Sequence, residues 1–329
     1  MKLLTPVNRI ESVPALCKHG AGELYVGFHD VEWEQNFGAF SNLNRMSSFG
    51  IAANPYSLEQ LRMLIDVGHA NHALVYITLN AESYTAAMLK KIEVYLHRMK
   101  EMSADGVIIS GPAIAHLAKK AGLKPIASTM CGIYNSDIAK YYIGEGVERI
   151  ILPRDLSLME IEAIIKDAPG AEYEVFLMRS GCKFADSFCL GFHYDRFGAL
   201  CQNLRRSNTT IHGGTISFRD RQLAILNETT YQTLFSSSDA CGLCALFRLI
   251  RLGVAAGKIV GRATSPDKIL GDLDIVSKNM RIADNCDSEE EYLTRMVFSQ
   301  NSDRTCFMGK SCYYPELRFD SFGGSYDRE

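Results

Sequence analysis

The chain reads ALVYITL at residues 73–79, GVIIS at 106–110 and KPIAST at 124–129, and these three apolar runs decide the fold. Between them lie two longer segments, residues 83–102 and a second one from Pro112, in which apolar residues recur at helical spacing. Short apolar strands that alternate with helices are typical of parallel βαβ units with right-handed crossovers.

The same alternation continues in both directions along the chain. Eight such units favour an α/β fold, a closed (β/α)8 TIM-barrel-like architecture, over the alternative of an open parallel sheet. The remaining strands are predicted at residues 23–27, 149–153, 173–177, 230–234 and 257–261, with helices from Ser57, over 157–167 and over 239–252.

Two regions interrupt this alternation. Residues 179–228 are far more than an ordinary connection between a strand and a helix needs, and long insertions of this kind are usually functional. Residues 285–329 are rich in polar residues, tyrosine and cysteine. We therefore expect a barrel over 1–284 that includes a cysteine-rich insertion at 179–228, and a small C-terminal extension over 285–329.

Composition excludes several classes of protein. The chain has 35 Lys and Arg residues against 38 Asp and Glu residues, and this net charge of −3 argues against a general nucleic-acid binder. No apolar run approaches the ~18 residues of a membrane span. The apolar start of the chain ends before Asn8, too early for a signal peptide, so the expected location is cytoplasmic.

Four of the ten cysteines lie at positions that suggest a metal or cluster site. Cys182 follows the predicted strand 173–177, and Cys241 follows the predicted strand 230–234, so both are expected at the end of the barrel where active sites of this fold lie. Four thiolates there can hold an iron–sulfur cluster or a zinc ion. The alternative is that they are buried apolar side chains. The four residues are Cys182, Cys189, Cys201 and Cys241, in the spacing Cys-x6-Cys-x11-Cys-x39-Cys.

The other cysteines leave two questions open. Cys244 follows Cys241 by three residues and could replace it as a ligand. Cys286, Cys306 and Cys312 form a second group in the C-terminal part of the chain, but a second site would need Cys17 or Cys244 as its fourth ligand.

Several motifs resemble those of peptidase family U32. They are GAGELYVG at 20–27, LPRDLS at 152–157, EVF at 174–176 followed by two cysteines, and KIVGR at 258–262. The best understood members of this family work without oxygen, on ubiquinone precursors or RNA bases. They carry a 4Fe-4S cluster on four cysteines and take an oxygen atom from prephenate. The resemblance therefore implies a 4Fe-4S cluster on Cys182, Cys189, Cys201 and Cys241, where Cys201 is the natural match for the third ligand.

The chain also departs from the family pattern, as a divergent member would. Met178-Arg179 replaces the His-Gly that precedes the first cysteine, Asp186-Ser187 replaces a Ser-Gly between the first two cysteines, and Val260 replaces a glutamate. The length resembles that of the compact members that act on small molecules. The resemblance implies an oxygen-independent hydroxylation on a small molecule or cofactor precursor, with prephenate as donor, in a homodimer or in a heterodimer with a family paralogue. The alternatives are a non-catalytic, cluster-bearing partner subunit and a peptidase.

Charged and polar side chains at or beyond the predicted strand ends are candidates for binding the substrate or the donor. Arginine binds carboxylates through two parallel hydrogen bonds, so a ring of arginines suits a donor with two carboxylates. The alternative is that each of them pairs with a structural acid. The candidates are Arg45, Asn54, Asn80, Thr129, Arg154, Arg179, Lys258 and Arg262.

Overall fold

Eight parallel strands close into a barrel in the computed structural model, which confirms the predicted (β/α)8 TIM-barrel-like fold. Each strand pairs with the next along the chain, and the last pairs with the first. The strands are β1 (Lys2–Pro6), β2 (Ala21–Val26), β3 (Leu74–Leu79), β4 (Gly106–Ile109), β5 (Lys124–Ala127), β6 (Arg149–Ile151), β7 (Glu172–Met178) and β8 (Ala256–Ile259). The structure describes residues 1–38, 42–81, 83–182, 186–188, 240–298 and 312–317.

The order of the strands corrects one part of the sequence analysis. The first strand, Lys2–Pro6, was not predicted, because so short an apolar run at the start of a chain has no periodicity of its own. It is buried at four of its five positions and lies between β2 and β8. The predicted strand at 230–234 lies outside the described residues, and the barrel closes without it because β7 pairs directly with β8.

Helices surround the barrel, and several begin at the capping residues that the sequence contains. Ser57 and Ser157 each accept a hydrogen bond from the backbone three residues later, and that residue's side chain returns the bond. The helices are α1 (Val13–Lys18), α2 (Val31–Phe37), α3 (Leu58–Ala70), α4 (Ala86–Glu101), α5 (Pro112–Lys120), α6 (Ser136–Gly144), α7 (Leu158–Asp167), α8 (Leu246–Arg251), α9 (Pro266–Asp284) and α10 (Glu289–Arg295).

The helix predicted over 239–252 is shorter than expected. Its α-helical part is Leu246–Arg251, preceded by a 3-10 turn at Leu243–Ala245. Cys241 is extended instead, because its backbone forms bridges with Met178 at the end of β7 and with Cys312 of the C-terminal extension. Tertiary pairing thus replaces the local helical preference of this segment.

The described part of the C-terminal extension packs on the barrel. Tyr292 in α10 is fully buried and donates a hydrogen bond to the Leu243 carbonyl, and Tyr313 and Tyr314 belong to the same hydrophobic core. The boundary at residue 284 stays a prediction. Among the described residues, no helix is both long enough and apolar enough to cross a membrane.

Candidate functional site at the barrel mouth

Arg262 lies just beyond β8, at the carboxyl end of the barrel, here called the mouth. Its side chain is only 4% exposed. The guanidinium donates to Asn54 Oδ1 at 3.1 Å, to Thr78 Oγ1 at 3.0 Å and to Asn44 Oδ1 at 2.9 Å. No carboxylate among the described residues pairs with it. A charged group with only neutral acceptors is costly to bury, so this arrangement suits an anionic ligand.

Burial lowers the pKa of Arg262 to about 10, and the neighbouring positive charge of Arg45 acts in the same direction. The guanidinium therefore remains charged at neutral pH. Tyr25 of β2 lies beside it, and burial raises the pKa of that phenol to about 12, so the phenol remains neutral.

Two further arginines at the mouth, Arg45 and Arg154, share the carboxylate of Asp186. Asp186, only 1% exposed, receives Arg154 Nε and Nη2 at 3.0 and 2.8 Å on one oxygen, and Arg45 Nη1 lies 2.7 Å from the other. Burial alone would raise the pKa of Asp186, but the Arg154 and Arg45 guanidiniums lower it well below its usual range. We call Arg45, Arg154, Arg262 and Asp186 the arginine cluster. The cluster contains three guanidiniums and one carboxylate, which bonds to Arg154 and Arg45 but not to Arg262, so two positive charges are in excess.

Most of the remaining polar candidates join this cluster. Thr129 contributes a side-chain hydrogen bond to Asp186, and Asn80 Oδ1 accepts a hydrogen bond from the Arg45 backbone at 3.3 Å. Asn54 is part of the Arg262 network and also donates to the carbonyls of Met46 and Gly50. The structure thus brings Arg45, Asn54, Asn80, Thr129, Arg154 and Arg262 together.

Two candidates lie elsewhere. Arg179 extends toward α9, where its guanidinium pairs with Asp272, so for this residue the structural alternative fits the geometry. Lys258 lies within the barrel, 2.8 Å from Glu174, with its ammonium 4.2 Å from the centre of the Tyr25 ring. Burial lowers the pKa of Lys258, although Glu174 acts in the opposite direction. These side chains are already neutralised by carboxylates.

The two described members of the four predicted cysteine ligands lie at the end of β7. Cys241 pairs through its backbone with Met178, the last residue of that strand, and Cys182 follows four residues after Met178. Both side chains are half-buried. Cys189 and Cys201 lie outside the described residues, as does Cys306. Among the residues that are described, no three His, Cys, Asp or Glu side chains converge on a metal site.

The turn that leads to Cys182 has an unusual backbone. Arg179 and Ser180 have φ values of 67° and 50°, in the left-handed region that residues other than glycine rarely adopt. Contacts from three directions hold it. The Arg179 amide donates to the Ala240 carbonyl at 2.7 Å, while Arg154 donates to the Ser180 carbonyl and Tyr313 to the Arg179 carbonyl. Such strain is retained where surrounding contacts determine the conformation, often at functional sites.

Several residues of the mouth were missed by the sequence analysis. Asn44 had no distinguishing motif, Thr78 was placed only in the predicted strand that ends before Asn80, and Asp186 was noted only as a departure from the family pattern. Tyr313 comes from the extension, whose contact with the mouth depends on tertiary structure alone. Two local signals could have pointed to these residues: Asn44 is adjacent to Arg45, and Thr78 lies close to the predicted strand end at Asn80.

The motifs quoted above resemble those of peptidase family U32, and the comparison with family models agrees with that resemblance. The model of Peptidase family U32 matches residues 8–306. The chain belongs to this family. The U32 match therefore includes the arginine cluster and both described members of the predicted ligand set, Cys182 and Cys241, but not residues 312–317.

The individual relatives have low sequence identity to this chain over the matched residues. The tRNA hydroxylation protein P of Helicobacter pylori strain J99 is 31% identical over 192 residues, which cover 58% of this chain and 42% of that protein. The uncharacterized protease MJ0090 of Methanocaldococcus jannaschii is 28% identical over 280 residues, covering 82% and 62%. The chain thus spans about half the length of the curated relatives it matches. The solved U32 peptidase Mk0906 is 16% identical with a TM-score of 0.40, over 54% of this chain and 69% of that one.

Proposed function

We propose that this chain catalyses an oxygen-independent hydroxylation or a related redox step at the barrel mouth. The arginine cluster binds an anionic oxygen donor there, and Cys182, Cys189, Cys201 and Cys241 hold a 4Fe-4S cluster. The substrate is a small molecule or cofactor precursor. Family U32 membership and the relatives named as tRNA hydroxylation proteins support the reaction class.

The observation that carries the proposal is the environment of Arg262. A guanidinium that is 4% exposed and has only amide and hydroxyl acceptors among the described residues lacks a negative partner there. Arg45 lies close enough to lower the pKa of Arg262, so an anion between them would interact with both charges. A carboxylate fits this pair because arginine binds carboxylates through two hydrogen bonds.

The described cysteines suit the proposed cofactor in type and place. Thiolates are the usual ligands of iron–sulfur clusters, and Cys182 and Cys241 approach from the two segments beside the end of β7. When bound, the cluster would supply electron-transfer chemistry next to the arginine cluster. Within the arginine cluster, Arg154 is the member that interacts electrostatically with Cys182, and it also forms an ion pair with Asp186.

The proposed reaction balances without molecular oxygen. A C–H bond of the substrate becomes C–OH, and the donor loses that oxygen atom and gains hydrogen in its place. The substrate is oxidised by two electrons and the donor is reduced by two. Prephenate, a hydroxylated dicarboxylate, has the required oxygen and two negative charges, which match the two excess positive charges of the arginine cluster.

A peptidase function is less well supported by the described residues. A thiol or hydroxyl nucleophile needs a nearby base, commonly histidine. No thiol or hydroxyl side chain among the described residues hydrogen-bonds to the ring of any of four described histidines, whose partners are carboxylates: His19 with Asp274, His29 with Glu34, His69 with Asp105 and His116 with Glu145. We therefore do not propose proteolysis.

Anaerobic purification followed by iron and sulfide measurement tests the cofactor. We expect about four irons and four sulfides per chain, lost in Cys182→Ser and Cys241→Ser. Cys17→Ser is the matched control, because Cys17 is also half-buried but lies on α1. Zinc in place of iron, or equal metal in all variants, would refute the cluster assignment.

Calorimetric titration with prephenate tests the anion site. We expect binding by the wild type and a loss of at least about tenfold in affinity for Arg262→Gln, since a charge-assisted hydrogen bond contributes about 1.5–3 kcal/mol. Product analysis with a small-molecule precursor and with tRNA, run side by side, distinguishes the two substrate classes. Modified tRNA with no small-molecule product would overturn the proposed substrate class.

A further inference from the structure

Residues 312–317 of the C-terminal extension are built into the mouth at several points. The backbone N–H of Tyr313 donates to the Cys241 carbonyl at 3.0 Å, and the Tyr314 hydroxyl donates to the Phe176 carbonyl of β7 at 3.2 Å. Glu316 Oε1 accepts the backbone N–H of Leu158 at 2.6 Å, at the first turn of α7. The segment thus connects the end of β7, the Cys241 segment and α7.

Gly242 shows how closely this segment packs. A Cβ atom at Gly242 would lie 2.8 Å from Cε2 of Tyr314, so only glycine accommodates the tyrosine ring at this distance. Tyr313 and Tyr314 are 5% and 3% exposed. Burial of both aromatic rings indicates a fixed part of the molecule rather than a loosely attached tail.

Tyr313 reaches the centre of the site. Its ring stacks on Phe176 with 5.9 Å between centroids, and the Arg154 guanidinium lies 4.4 Å from the centroid of the same Phe176 ring. The phenol interacts electrostatically with Arg154, Asp186, Tyr25 and Cys182, and burial raises its pKa. Its hydroxyl therefore remains protonated at neutral pH and is available as a donor.

That donor is directed at the turn before Cys182. The Tyr313 hydroxyl donates to the Arg179 carbonyl, and the next carbonyl, of Ser180, accepts from Arg154. Arg179 and Ser180 are the two residues with left-handed φ values. A turn in this conformation needs external contacts to persist, and these two side chains supply them.

We propose that Tyr313 is a positioning residue of the barrel-mouth site, whose hydroxyl holds the turn that places Cys182, and that residues 312–317 form a permanent wall of the mouth. The reason for placing Cys182, which is to bind the cluster, rests on the proposed function. This segment lies beyond residues 8–306, the part of the chain that the family model matches.

The test compares Tyr313→Phe with Tyr314→Phe. Each change removes one buried hydroxyl that donates to a backbone carbonyl and keeps the ring, but only Tyr313 bonds to the Cys182 turn. In cluster-free protein, we expect Cys182 to react with N-ethylmaleimide about fivefold faster in Tyr313→Phe than in wild type, the effect of one lost hydrogen bond. Tyr314→Phe should leave the rate unchanged, and buried Cys286 serves as the internal reference.

Hydrogen exchange and iron loss test the same hydrogen bond independently. Hydrogen exchange of the peptide containing residues 179–182 should accelerate in Tyr313→Phe alone. Iron bound to the reconstituted protein should also be lost faster to a chelator. Equal Cys182 labelling and equal exchange in the two variants would overturn the positioning role. Because labelling and exchange use cluster-free protein, they remain decisive even if the wild type binds no iron and the proposed function fails.

Discussion

Arg149 and Arg262 are both almost fully buried, at 2% and 4% exposure, but their surroundings differ. Arg149 lies inside the barrel and pairs with both oxygens of Glu23, at 2.5 and 2.9 Å, and with Glu172 at 2.7 Å. Arg262 has amide and hydroxyl acceptors instead. Arg149 therefore forms structural ion pairs, whereas Arg262 has the environment of a ligand-binding residue.

Replacing each arginine by methionine should separate these roles. Arg149→Met leaves the buried Glu23 carboxylate with the exposed Lys2 ammonium, 3.9 Å away, as its remaining described cation, so we expect the free energy of unfolding to fall by about 3–5 kcal/mol. Arg262→Met removes a charge that has no carboxylate among the described residues, and Asn44 and Asn54 still bond to each other. We expect a change of less than about 1 kcal/mol together with loss of prephenate binding. Urea unfolding measures both, and equal destabilisation would make Arg262 structural.

Gly27, the residue after β2, makes room for the Arg262 network. A Cβ atom there would overlap the Arg262 guanidinium and the Asn54 amide oxygen. Its φ is not in the left-handed region, so the requirement is for space rather than for backbone freedom. The strand end and the loop that carries Asn54 can approach each other only because this position has no side chain.

Gly27→Ala should therefore disturb both the loop that carries Asn54 and the proposed anion site. We expect about 1–3 kcal/mol of destabilisation from overpacking and a loss of prephenate affinity, because Arg262 must move. Gly111→Ala is a suitable control, since Gly111 also follows a barrel strand but a Cβ atom there meets nothing within 4 Å. Thermal unfolding and calorimetry would measure the two effects. Normal prephenate binding by Gly27→Ala would contradict the assigned geometry.

Asp186 connects distant parts of the molecule. Its carboxylate joins the segment after β7 to Arg154 beyond β6, to Thr129 beyond β5 and to Arg45 in the loop between α2 and α3. The closed barrel brings these parts of the chain to one place. The stability of the mouth should consequently depend on the charge of this single group.

The pH dependence follows from the lowered pKa of Asp186. Because the folded-state pKa lies below the unfolded value of about 3.9, the stabilisation is complete above that pH and is lost as the pH falls through the folded pKa. We expect Asp186→Asn to cost about 3–5 kcal/mol at pH 7. Acid titration of unfolding should show this difference shrinking below about pH 4. Asp155→Asn, at an exposed position nearby, should show neither effect.

The sequence alone determined the architecture and the positions of most candidate residues. Seven of the eight observed strands were predicted, since β2 to β8 are apolar runs between capped helices and local periodicity reports such elements directly. The position of Arg45, Arg154 and Arg262 beyond predicted strand ends was also local information. In a parallel barrel the carboxyl ends of all strands lie on one face, so a position just after a strand predicts a position on that face.

Only the tertiary structure decided how these groups are paired. Asp186, which the sequence showed only as a departure from the family pattern, neutralises part of the arginine cluster, while Arg262 retains neutral partners. Arg179 turns toward Asp272, ninety-three positions away, and Tyr313 reaches the mouth from the extension. Ion pairs and packing join residues that are distant along the chain. Their energies depend on burial and geometry, which local sequence patterns do not contain.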